Sequence, residues 1–176
     1  MTVLTVAEAK KYLRYDAADT SNDDPLAIIV AGAQRWVENY TDHILEQRTV
    51  TQTFPAFPTA APLYFDLRYK PYVADSLVVS YLDADFATVS DFDAFTIYAH
   101  EGTQRVIPDS AWPDAYQGVS LSYTAGYADI DAVPEDIIHA ICIYAAATDQ
   151  ERASPDGDAW KALDSILWNY RLPVLA

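Results

Sequence analysis

The sequence predicts an α+β fold: a small helical bundle of about four helices, with an antiparallel β region inserted between helices 2 and 3. Three observations carry that expectation. Apolar residues recur at three-and-four spacing near both ends of the chain, the spacing shortens to β-rich segments in the middle, and those segments are separated by short turn-like stretches that suit hairpins. The length of 176 residues and the hydrophobic fraction of 51% suffice for one domain with a sizeable core. Residues 1–176 are therefore read as a single domain: N-terminal helices over 1–45, a β-rich insertion over 46–124, C-terminal helices over 133–171 and a tail over 172–176.

Thr5 and Glu8 form a T-x-x-E capping box that opens a short first helix. Its apolar positions Val6, Ala9, Tyr12 and Leu13 share a face, and the polar stretch from Asp16 to Asp23 is expected to end it. Asp24 followed by Pro25 reads as an N-cap with proline at the first helical position, where a missing N–H costs nothing. The second helix then runs to about Tyr40, with Leu26, Ile29, Ala33, Trp36, Val37 and Tyr40 as a core-facing stripe and Gln34, Arg35, Glu38 and Asn39 off its centre.

Six strands are expected, at 48–54, 63–67, 77–82, 95–99, 104–107 and 119–124, with turns at 54–62, 83–85, 90–93 and 100–103. Pro55, Pro58, Pro62 and Pro71 are expected to protect sheet edges. Pro134, Glu135 and Asp136 start a third helix, with acids at the positive end of its dipole, and its almost continuous apolar run from Ile137 to Ala147 marks it as the central buried helix. After a break at 154–157, Asp158 is placed to cap a fourth helix whose Trp160, Leu163, Ile166, Leu167 and Tyr170 share one face.

Charge and motifs narrow the function. The 26 acidic residues outnumber the 11 basic ones, for a net charge of -15, which argues against a protein that grips nucleic acid by neutralising phosphates. No apolar run is long enough to span a bilayer, and the opening residues lack a signal peptide's basic and apolar regions, so a cytoplasmic product is expected. The phosphate-loop, dinucleotide, H-E-x-x-H and G-x-S-x-G motifs are absent. No cofactor, metal or catalytic residue is assigned.

The remaining candidates favour structural readings. Glu135 and His139, four apart, suit a helix-dipole acid beside a partly buried histidine better than a metal pair with no third ligand. Asp83, Asp85, Asp91 and Asp93 lack the EF-hand glycine and glutamate and suit a solvated hairpin. Cys142, the single cysteine, sits in the most apolar helix as a small hydrophobe. The 111–116 stretch, with Trp112 and Tyr116, is read equally as a partner patch or as a loop packed on the sheet. A carboxylate-based hydrolase and a monomeric protein-binding domain remain as alternatives; the first requires acids of perturbed pKa in a cleft.

Two stretches resemble the head-tail connector family of tailed phages, also called adaptor or head-completion proteins. One runs from Leu4-Thr5-Val6-Ala7-Glu8-Ala9-Lys10-Lys11-Tyr12-Leu13-Arg14, through an Asp-rich loop, to Trp36-Val37-Glu38-Asn39-Tyr40-Thr41. The other runs from Ser122-Tyr123-Thr124-Ala125-Gly126-Tyr127 to Val133-Pro134-Glu135-Asp136-Ile137-Ile138-His139-Ala140, with Asp149-Gln150-Glu151-Arg152 beyond. The resemblance implies a virion protein at the head-tail interface, assembled in the host cytoplasm. It further implies a homo-oligomer, a dodecameric ring, that binds the portal protein, extends the DNA channel without specific DNA binding, and docks a stopper or tail-completion protein.

The partner-binding candidates are Tyr170, Arg171, Leu172, Pro173, Val174 and Leu175. An apolar tail after an amphipathic helix needs covering, either by its own bundle or by a partner, and the resemblance points to the partner.

Overall fold

The computed structural model describes residues 3–61, 63–100, 102–113, 117–151 and 157–171. Among these the chain order is α1 (Val6–Leu13), α2 (Asp23–Thr41), β1 (Arg48–Phe54), β2 (Phe65–Leu67), β3 (Val78–Leu82), β4 (Thr88–Phe92), β5 (Phe95–His100), β6 (Thr103–Pro108), β7 (Gln117–Ala125), α3 (Glu135–Glu151) and α4 (Gly157–Leu167). Four helices and antiparallel sheets agree with the expected α+β class. The chain divides into two compact units, one of Met1–Glu46 with Tyr127–Ala176 and one of Gln47–Gly126.

In the helical unit, α1 begins with the expected capping box: the Glu8 N–H donates to Thr5 Oγ1 at 3.3 Å, and the Thr5 N–H donates to Glu8 Oε2 at 2.8 Å. The helix stops earlier than the Asp-rich loop suggested. Arg14 takes a left-handed conformation (φ 61°), and the Tyr15 N–H closes back on the Lys10 carbonyl at 2.9 Å. Ala9 is buried and Val6 and Leu13 pack against the core as expected, with two departures. Tyr12 is exposed, whereas Lys10 is buried, where it pairs with Asp23 and donates to the Asp19 carbonyl at 2.7 Å. A lysine stem covers apolar surface while its ammonium finds oxygen partners, so periodicity alone misassigns it.

α2 starts at Asp23 rather than after Asp24, so Pro25 is its third residue, still within the first turn where a residue's N–H would have no intrahelical partner and proline's lack of one costs nothing. Its buried stripe is Leu26, Val30, Ala33, Gln34, Val37 and Thr41, rotated from the expected one so that Gln34 is buried and Ile29, Trp36 and Tyr40 lie at its border. α3 packs against each of the other three helices, as a central element should. It buries Ile137, Ala140, Ile141, Cys142 and Ala145 but leaves Glu135, Asp136 and His139 exposed. α4 includes Asp158 in its first turn, where it pairs with Lys161 at 2.9 Å instead of standing before the helix as its cap.

In the β unit, one sheet has strand order β1-β7-β3-β4 and the other β2-β6-β5, with every pair antiparallel. Strand β4 falls where residues 90–93 were expected to turn; Val89 and Phe92 pair with Tyr81 and Val79 of β3. Its sequence is polar because it is an edge strand, half in water. β7 begins two residues earlier than expected, through a bulge at Gly118, whose φ of 64° suits glycine. Pro55, Pro58 and Pro71 lie in connections and not within edge strands, and Pro62 lies outside the described residues. Pro55 and Pro71 carbonyls accept from Gly118 and Gly126 at 2.9 Å each, so they fasten loop ends to β7.

Candidate assembly surface

Asp83 and Trp112 hold local structure together. Asp83 Oδ1 accepts from the Asp85 and Ala87 N–H groups at 2.9 Å each, which fixes the β3–β4 hairpin tip. Trp112 donates from Nε1 to the Leu63 carbonyl at 3.1 Å and stacks on Phe57 with centroids 4.9 Å apart. Phe65 and Phe92 complete this aromatic packing, at 5.2 and 5.8 Å from Trp112, so its loop packs on the sheets; residues 114–116 lie outside the described set.

Glu135 and His139 do border one open depression, together with Tyr12, Asp136, Ile138 and Cys142. His139 is exposed rather than partly buried and meets the Tyr12 ring edge-on at 6.2 Å. Among the described residues no group of three or more His, Cys, Asp or Glu is placed to hold a metal ion. Burial, and secondarily the Glu8 carboxylate, pushes the Cys142 thiol above its ordinary pKa, away from the thiolate that nucleophilic chemistry needs.

The tail-root residues Tyr170 and Arg171 belong to a larger constellation that the sequence did not disclose. Leu163 and Leu167, fully buried, anchor α4, and this brings Trp160, Asp164 and the 3-10 turn Trp168–Tyr170 to the end of α2. There Trp36 and Tyr40, one helical turn apart, stack at 4.9 Å, while Tyr144 of α3 and Trp160 meet Trp36 at 4.9 and 5.5 Å. Trp36 and Tyr40 pack against the core as expected, and from the border of the α2 stripe they also form the wall of this cluster.

Arg171 crowns it. Its guanidinium lies 4.6 Å from the Tyr40 ring centroid, donates to the Tyr40 hydroxyl at 3.2 Å and approaches Asp164 at 3.8 Å. The Tyr40 hydroxyl donates to Asp164. Burial first, and then the Asp164 hydrogen bond, raises the Tyr40 pKa, which keeps this donor protonated. Tyr170 reaches Asp136 at 3.4 Å and meets the His43 ring edge-on at 5.5 Å; His43 in turn stacks on Tyr127 and shares a 2.8 Å hydrogen bond with its hydroxyl. Burial, then Tyr170, pushes the Tyr127 pKa up to about 12. Trp168 (65% exposed) and Trp160 (42%) remain open to solvent. Leu172, Pro173, Val174 and Leu175, the other predicted partner residues, lie outside the described residues.

The chain thus combines a four-helix unit with a two-sheet antiparallel unit, and the helical unit carries an aromatic cluster capped by Arg171. The sequence matches no family model and no curated protein. Solved structures do match. The fold is similar to a chain in the neck of an empty GTA particle computed with C6 symmetry (TM-score 0.81, 20% identity, covering 99% of this chain and 93% of that one). It is similar to one in the virion of a native gene transfer agent particle (0.79, 20%, 99% and 93%), and to one in the neck of a native GTA particle computed with C12 symmetry (0.74, 19%, 99% and 92%). The chain thus shares its fold with chains of gene transfer agent neck and virion structures, in agreement with the fold that the connector resemblance implied.

Proposed function

We propose that the chain is a structural, non-enzymatic subunit of the neck of a tailed phage or phage-like particle, working as one connector domain. Identical copies close a ring beneath the portal, extend the DNA channel and present a lower face to a stopper or tail-completion protein. The observation that carries this reading is the likeness over 99% of the chain to neck proteins of particles computed with C6 and C12 symmetry. A closed ring needs heterologous contacts, the same two complementary patches on every subunit.

Tyr170, Arg171 and residues 172–175 serve as the attachment arm. Exposed Trp168 and Trp160 beside Arg171 form the aromatic and arginine surface that protein interfaces favour. The acidic excess keeps packaged DNA from adhering to the channel, because like charge repels and gives no counterion release.

The test is electron microscopy of the purified chain mixed with its portal. Rings stacked on the portal are expected, and deletion of residues 172–176 should abolish stacking. A chain that stays monomeric beside intact portals sinks the connector reading; stacking that survives the deletion sinks the arm.

A further inference from the structure

A second recess lies in the helical unit. It has a volume of about 250 Å³ and is lined by the apolar Val3, Leu45, Tyr127 and Ile130 together with the acidic Glu8, Glu46 and Asp129. Drug-sized ligand sites run to roughly 300–1,000 Å³, whereas a cavity of about 150 Å³ takes one benzene ring. The recess therefore suits one or two aliphatic side chains. We propose that it is a cis-acting receptor for residues 172–176 of the same chain, holding the attachment arm until the subunit meets its partner. This rests on the arm reading above.

Three observations select that occupant. The first is where the described chain stops: Arg171 leaves the last turn in an extended conformation (φ -77°, ψ 141°), directly after Tyr170. Tyr170 meets His43 at 5.5 Å, and His43 meets Tyr127, a wall of the recess, at 5.9 Å. Five further residues reach at most roughly 3.3–3.6 Å each, ample to pass two neighbouring rings.

The second is chemistry. Leu172, Val174 and Leu175 supply aliphatic anchors of the right size, and Pro173 restricts Leu172 to extended backbone, which reduces the entropy lost on seating. The third is charge. Thr5 hydrogen bonds hold the Glu8 carboxyl below its ordinary pKa, and Asp129 accepts from the Ala132 N–H at 3.0 Å, so two acidic residues of the lining are fixed in place. An acidic lining disfavours the many segments of this chain that carry its 26 acids, and residues 172–176 have no acidic side chain.

Disulfide trapping tests it on the free subunit. In a Cys142→Ala background, which removes the one native thiol, Ile130→Cys is combined with Val174→Cys, and separately Ala128→Cys with Leu172→Cys. Both pocket positions are exposed, so folding should survive, as an unchanged melting curve of the reduced forms would verify. Mild oxidation should close at least one pair within single chains at a dilution-independent yield, seen as a compact monomer on a non-reducing gel.

A ladder of cross-linked copies would overturn the proposal in favour of arm exchange between subunits, and failure of both pairs to close would overturn it outright. The closed form should also stack on portals less than its own reduced form, which carries the same arm substitution. Stacking by the closed form as strong as by the reduced form means that the arm need not leave the recess, and overturns the holding role. A Cys142→Ala parent, its arm intact, that never stacks indicts the connector reading instead.

Discussion

Thr5 and Glu8 show how one local pair governs a whole helix. The box satisfies N–H groups that the start of α1 would otherwise leave open, and α1 is only eight residues long, too short to stand without tertiary contacts and a cap. Thr5→Ala is expected to destabilise the protein by about 0.5–2 kcal/mol in urea denaturation at neutral pH. Glu8 adds a pH signature. Its folded pKa lies below 4.5, mainly because Thr5 donates to the carboxylate, so its contribution is full above the unfolded value and fades as pH falls through the folded one. The cost of Glu8→Gln should therefore shrink towards zero at strongly acidic pH. A cost that stays constant from neutral to strongly acidic pH would show that the carboxylate's charge plays no part.

At the scale of the element, α4 has two unlike faces. Leu163 and Leu167 are fully buried and tie it to the bundle core, while Trp160 and, just beyond the helix, Trp168 look outward. Leu163→Ala should cost about 2–5 kcal/mol by cavity formation. Trp168→Ala should change stability by no more than about 0.5 kcal/mol, because the ring is mostly in water, yet weaken portal stacking. Thermal melts and pull-down on portal rings of the same two variants separate the faces. A large loss of stability from Trp168→Ala would place that ring in the fold's own support.

For the whole molecule, the net charge of -15 is the dominant long-range property. Duplex DNA binding should be undetectable at physiological salt, since neither phosphate neutralisation nor counterion release is available to drive it. Gel-shift or fluorescence titration checks this. Micromolar affinity that falls steeply with salt would reveal a basic surface and remove the repulsive-channel idea.

Legibility in the sequence followed the range of the forces involved. The α1 capping box, the β1 limits and the start of α3 were readable because each depends on residues a few positions apart: a side chain reaching its own backbone, a period-two run, acids after a proline. The α+β class and the docking role of Tyr170 and Arg171 as expectations came from the same local patterning together with the family resemblance.

Tertiary structure decided what depends on distant partners. Lys10 is buried only because Asp23 and the Asp19 carbonyl come to meet it, and β4 is a strand only because β3 accepts its hydrogen bonds. Trp36, Tyr40, Tyr144 and Trp160 become one surface only when α2, α3 and α4 are packed, since a helix's own period fixes which residues share a face but not which neighbour covers that face.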